Sequence, residues 1–138
     1  MKICVVFLLL TSLNAFGLTM GQAIDEAGRQ RMLSQKVAKA YFMKAINAKS
    51  SAADHQMHTS IKKFEYNLEQ LKAFEPAEKL RPQLELVQRL WGEYKALLQL
   101  PVTGASADQV LSLSNQVLKE TNEYVKALQK YRVLKLLS

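Results

Sequence analysis

The sequence predicts an all-α fold, an antiparallel up-down-up-down four-helix bundle preceded by a signal peptide. Three observations predict it. Apolar residues recur at steps of three and four along most of the chain, and no stretch shows a convincing period of two. Gly and Pro are scarce, with short Pro-, Gly- and Ser-containing breaks dividing the chain into four periodic segments. The N-terminus has a composition of its own. Lys2 is followed by the apolar run Ile3 to Leu13, and Ala15-Phe16-Gly17 offers small residues at the −3 and −1 positions of a cleavage site.

The leader comprises residues 1–17 and the bundle residues 18–138. The apolar run is well short of the roughly 20 residues that span a bilayer as a helix, so cleavage is favoured over retention as an anchor. The expected compartment is therefore the periplasm or the exterior. Cys4, the only cysteine, falls inside the leader, too early for a lipoprotein cleavage site. With no disulfide available to the bundle, apolar burial must hold it together. Losing Lys2 lowers the net charge from +7 to +6. Such a balance suggests nucleic acid in other settings, but here the charges are scattered and the chain is exported. Anionic lipid, cell-wall polymer or a small anion fits the compartment better.

Helix one is expected from about Met20 to Ala48, opened by a Thr19/Gln22 capping box. After the break Asn47 to Ala53, helix two runs from Asp54, as N-cap, to Phe74, with Met57, Ile61, Phe64, Leu68 and Leu71 on one face. Glu75-Pro76 ends it, and Pro82 suits the first turn of helix three, where a missing N–H costs nothing. Leu84, Val87, Trp91, Tyr94 and Leu98 continue the spacing, and Trp91 and the tyrosines read as core. Pro101 to Ala105 breaks the chain again. A Ser106/Gln109 capping box then opens helix four, whose buried side carries Val110, Val117, Tyr124, Leu128 and Tyr131, and which ends near Lys135. Segments of about 20 to 30 residues at 1.5 Å per residue make a rod roughly 30 to 45 Å long.

Helix one departs from this pattern. Ile24, Gly28, Arg31, Gln35, Ala38, Phe42 and Ala45 form a four-three seam, and seam positions should be apolar. A mid-helix Gly costs about 1 kcal/mol relative to Ala, and a buried, unpartnered Arg costs several. One reading makes this an anion site: Gly28 allows close approach, Arg31 supplies a planar fork of donors and Gln35 a neutral one. The other pairs Arg31 with a glutamate of another helix, or lets it snorkel to water. A second apolar strip, Leu33, Val37, Ala40 and Tyr41, gives helix one a second face, either an interface for another copy or part of a wide core.

The stretch Ile24 to Tyr41, IDEAGRQRMLSQKVAKAY, resembles the opening of the periplasmic domain shared by pilus chemotaxis transducers of the PilJ type and, more distantly, the nitrate/nitrite sensors of the NarX type. In the nitrate sensors an arginine of this segment from each subunit binds the anion at a dimer interface. The resemblance carries that arginine onto Arg31, the preceding glycine onto Gly28 and a serine onto Ser34. Arg29, Gln30 and Gln35 follow the PilJ pattern and depart from the nitrate-sensor one. Those sensors are usually flanked by transmembrane helices on both sides, whereas here a removable leader is expected and no apolar stretch of spanning length follows Lys135.

Catalysis and metal binding are not expected. His55 and His58 sit at a helix start without further metal ligands or a triad partner, and the adjacent Asp25-Glu26 pair points in diverging directions. No cofactor is expected. Two functional readings remain. In one, a stand-alone sensor-type bundle binds a small anion or other small ligand at Gly28, Arg31, Ser34 and Gln35 and presents it to a membrane partner. In the other, helix one docks on a membrane sensor or a second copy through Leu33, Val37 and Tyr41, with no small ligand.

Overall fold

The computed structural model describes residues 18–47 and 49–138. The leader and Cys4 lie outside the described residues. The described chain is all-helical, with no strand: α1 (Met20–Ile46), α2 (Ser51–Ala73), a 3-10 helix (Glu75–Leu80), α3 (Arg81–Leu98) and α4 (Gly104–Leu137).

The helix ends follow from local hydrogen bonding. At α1 the capping box forms as the sequence predicts: the Gln22 N–H donates to Thr19 Oγ1 at 3.2 Å and the Thr19 N–H to Gln22 Oε1 at 2.9 Å. α2 starts before Asp54, because Ser50 captures the Ala53 N–H at 3.1 Å and acts as N-cap. Asp54 then sits in the first turn, where a carboxylate suits the helix dipole, and accepts from Lys44 Nζ at 2.8 Å. The 3-10 helix after Phe74 was not legible in the sequence. Pro82 occupies the first turn of α3 as expected. α4 starts at Gly104, earlier than Ser106, because the box forms between Thr103 and Ser106. The Ser106 N–H donates to Thr103 Oγ1 at 3.1 Å and the Thr103 N–H to Ser106 Oγ at 2.8 Å. Ser106 is therefore the inner partner of the box rather than its cap.

α1 packs extensively against α2 and α4, α4 packs against α3, and of the helices consecutive in the chain α2 and α3 meet least. Three of the buried faces are those expected from periodicity. Met57, Phe64, Leu68 and Leu71 of α2 are buried, with Ile61 half-buried at the edge. Leu84, Val87, Trp91, Tyr94 and Leu98 of α3 are buried, as are Val110, Val117, Tyr124 and Leu128 of α4, whereas Tyr131 is only half-buried. Trp91 stacks on Phe64 with ring centroids 3.8 Å apart, and Tyr94 meets Trp91 edge-on at 5.6 Å. These rings join α2 to α3 where the two helices do touch.

The register of α1 differs from the sequence reading by one residue. Its buried seam is Ala23, Ala27, Gln30, Ser34, Val37 and Tyr41, supplemented by Leu33, Ala38 and Ala40. The seam expected to be central, Ile24 to Ala45, instead runs along the edge. There Ile24, Gly28 and Phe42 are half-buried and Arg31, Gln35 and Ala45 exposed. One residue along a helix is about 100°, enough to exchange the core for the margin. Leu33, Val37 and Tyr41, offered as an exterior docking strip, are 4%, 0% and 1% exposed, so the bundle's own core consumes them.

Candidate functional site

The anomalies of helix one divide between two sides of α1. Inward lie Gln30 and Ser34. Gln30 Nε2 donates to the Phe64 carbonyl of α2 at 3.0 Å, while its Oε1, also buried, meets no hydrogen-bond donor among the described residues. The Ser34 hydroxyl donates to the Arg31 carbonyl at 2.9 Å, and the Ser34 carbonyl accepts from Tyr94 OH of α3 at 3.0 Å. These contacts tie three helices together through the core. Burial also raises the Tyr94 phenol well above its ordinary range. Ser34 is thus fully enclosed and does not share a surface with Arg31.

Outward lie Gly28, Arg31 and Gln35, brought to one groove between α1 and α4. Arg31 and Gln35 are one turn apart and both reach across to α4. Arg31 Nη1 donates to Asn122 Oδ1 at 2.9 Å, and Gln35 Nε2 donates to Ser114 Oγ at 3.1 Å. The guanidinium folds back over Gly28, where a Cβ would lie 3.6 Å from Nη2, an ordinary contact distance. Asn122 and Ser114 are the partners that sequence reasoning missed. The available signal was the step of four through Ser114, Leu118 and Asn122, beside the apolar stripe of α4.

The electrostatics of this groove are one-sided. No carboxylate among the described residues lies within 4 Å of Arg31, whereas its neighbour Arg29 meets Glu26 at 3.6 Å. The acidic residues flanking Asn122 have other partners: Glu123 holds Lys126 at 3.0 Å, and Glu120 accepts from Gln83 Nε2 at 2.8 Å. The glutamate-pairing reading of Arg31 therefore does not apply. Arg31 is a solvent-accessible guanidinium with a neutral amide as its side-chain partner, and the remaining N–H groups are free to engage an oxyanion in plane.

The histidines stand elsewhere. Both are exposed at the start of α2, and His58 Nδ1 lies 2.9 Å from the Asp54 carbonyl oxygen. Among the described residues no group of three or more His, Cys, Asp or Glu side chains converges as a metal site would require.

No helix of the described residues is long and apolar enough to cross a membrane. No curated protein and no solved structure matches the chain. A family model does, that of the type IV pili methyl-accepting chemotaxis transducer N-terminal domain, over residues 13–128. The match takes in α1, α2, α3 and most of α4, together with the Arg31 groove and both of its α4 partners. A helical chain carrying the AGRQRMLSQ segment and matched over that span belongs to the PilJ family of chemotaxis-transducer N-terminal domains.

Proposed function

We propose that this protein is an exported sensor-type bundle that binds a small oxyanion at the α1–α4 groove and presents it to a membrane signalling partner. The family is one of chemoreceptor sensory domains rather than enzymes, and its domain is typically periplasmic. The observation that carries the ligand reading is Arg31: an exposed guanidinium, held by Asn122 at 2.9 Å, with no carboxylate within 4 Å among the described residues. Gly28, with no side chain, leaves open space beside the guanidinium, and Gln35 adds a neutral donor one turn on. Ser34, expected as a ligand group, is enclosed in the core instead, its hydroxyl donating to the Arg31 carbonyl, and takes no part in the site.

The topology proposed for the bundle is up-down-up-down, with the leader cleaved after residue 17. Cross-helix pairs support it. Along α1, Gln30 and Lys44 meet Phe64 and Asp54 of α2, so the numbering rises on one helix as it falls on the other. Arg31, Gln35 and Tyr41 likewise meet Asn122, Ser114 and Ser106 of α4.

The test is a series of thermal melts of the purified protein with nitrate, nitrite, other small oxyanions and amino acids at fixed ionic strength. Free ligand at about 100 times its Kd adds roughly 2.7 kcal/mol, several degrees for a domain of this size. The expected result is a selective shift that Arg31→Ala abolishes. A shift that survives Arg31→Ala would refute the site. A second reading, in which α1 docks on a receptor without a small ligand, is favoured by Met32, Met43 and Ile46, whose side chains are 49%, 40% and 89% exposed on the outer side of that helix. Under that reading the melts stay silent and substitutions at these three positions break a complex.

A further inference from the structure

We propose that the cleft between α2 and α3, bordered by the last turns of α1 at Tyr41, Lys44 and Ala45 and so toward the far end of that helix from Arg31, is a second ligand site for an organic anion with an apolar body and a carboxylate-type head. The cleft follows from unequal helix lengths. Glu65 of α2 meets both Lys95 and Trp91 of α3. Beyond that point α3 continues only to Leu98, whereas α2 runs back to Ser51, roughly 20 Å at 1.5 Å per residue. The first turns of α2 therefore have no α3 against them, and the chain after Leu98 closes the end through Leu100, Pro101 and Val102.

The cleft is half open to solvent and has a volume of about 990 Å³, at the upper end of the roughly 300–1,000 Å³ typical of small-molecule sites. Its inner lining is apolar: Met57 and Ile61 from α2 and Leu98 from α3. Leu100 and Val102 keep 55% and 39% of their surface in contact with water at its mouth, surface that an apolar ligand body would cover. The rim is cationic. Lys44, Lys62 and Lys95 line it against a single carboxylate, Glu65. Lys44 and Lys95 have acidic partners in Asp54 and Glu65, while Lys62 has no carboxylate within 4 Å among the described residues. An apolar cavity with an unneutralised ammonium at its edge selects an amphipathic anion over a neutral apolar molecule and over a small inorganic ion. A neutral molecule leaves the charge unused, and a small ion leaves the inner lining wet.

Trp91, the only tryptophan, reports on this site, since its Nε1 donates at 3.3 Å to Glu65 Oε1, which lines the cleft. The experiment is a fluorescence titration of the full protein with octanoate, 1-octanol and acetate, repeated by calorimetry. Octanoate is expected to bind saturably, octanol about tenfold more weakly and acetate not at all. Lys62→Glu and Val102→Asp, both at exposed positions, are each expected to weaken octanoate about tenfold while leaving the melting temperature in place. Arg31→Ala is expected to leave octanoate binding unchanged, which separates this site from the groove on α1. Equal affinity for octanol and octanoate, octanoate binding that both cleft substitutions leave intact, or no saturable binding at millimolar concentration would each overturn the proposal.

Discussion

Gln30 offers a quantitative test of the register of α1. It is 1% exposed, its Nε2 donates to the Phe64 carbonyl at 3.0 Å, and its Oε1 has no donor among the described residues. Gln30→Met keeps an unbranched side chain of similar length and removes both polar ends. The lost hydrogen bond costs about 0.5–1.5 kcal/mol, and the Phe64 carbonyl keeps its place in the α2 ladder. Removing a buried unpaired acceptor returns about 1–3 kcal/mol. The variant should therefore lie between about 0.5 kcal/mol less stable and about 2.5 kcal/mol more stable than the parent. Gln30→Ala deletes the same polar groups but leaves a cavity, and should fall about 2–5 kcal/mol below the Met variant. Equilibrium urea unfolding with a common m-value measures both, and each 1 kcal/mol corresponds to roughly 3–6 °C in Tm for a domain of this length. Arg31→Ala, in the same assay and without added anion, should change stability by no more than about 0.5 kcal/mol. A Gln30→Met variant destabilised by more than about 1 kcal/mol, or Met and Ala variants of equal stability, would refute the assignment of Gln30 to the core seam.

Further outcomes follow from the same geometry. Gly28→Ala meets the Arg31 guanidinium only at ordinary contact distance, so it should stabilise α1 by about 0.5–1 kcal/mol in thermal melts; marked destabilisation would refute open space beside Gly28. Ser106→Ala removes the inner half of the α4 capping box and the 2.8 Å contact with Tyr41 OH, and should cost about 1–2 kcal/mol, more than Tyr41→Phe alone. Burial pushes the Tyr124 phenol up to about 12. The folded state favours the neutral form, so this contribution is complete below the ordinary tyrosine pKa of about 10 and is lost as pH rises from there toward 12. Tyr124→Phe should flatten that alkaline limb in unfolding measurements. The Lys44 hydrogen bond holds the Asp54 carboxyl below its ordinary range, so the pair contributes above that range and its contribution is lost as pH falls through the lowered pKa. Asp54→Asn should remove this acid dependence, read as stability from pH 5 to pH 2.

The parts of the fold legible in the sequence are those where bulky apolar residues fill the seam. Phe64, Leu68 and Leu71, or Leu84, Trp91 and Tyr94, leave one reading of the period, and all are buried. α1 is different because its core face is built from small and polar residues, Ala23, Ala27, Gln30 and Ser34, while Ile24 and Phe42 stand one residue away at the margin. A pattern read by bulk selects the wrong one of two stripes about 100° apart. Helix starts were ambiguous for a different reason. Ser50 and Asp54, or Thr103 and Ser106, are each a pair of competent capping oxygens within one turn, and composition does not rank them. The 3-10 helix and the unequal reach of α2 and α3 depend on tertiary packing, so the cleft between them had no local signature.

The corrected register changes why Arg31 matters. Sequence reasoning reached it as a charge trapped in a seam, where the cost of burial argued for a compensating function. The structure places Arg31 in solvent, so that energetic argument falls away and a different one replaces it: an exposed guanidinium that every nearby carboxylate leaves unpaired. The buried polar residues of the AGRQRMLSQ segment are Gln30 and Ser34, its outward ones Arg31 and Gln35, and the two pairs alternate along the helix. A single motif therefore does two jobs. Its inward residues bond α2 and α3 through Phe64 and Tyr94 and hold the helix in one register; its outward residues meet α4 at Asn122 and Ser114 and face the groove. Substitutions should separate the two, with Gln30 and Ser34 altering stability and Arg31 and Gln35 altering ligand response at constant stability. If Ser34→Ala changed ligand affinity while leaving the melting temperature of the free protein untouched, inward and outward residues would be acting on the same site, and the division drawn here would fail.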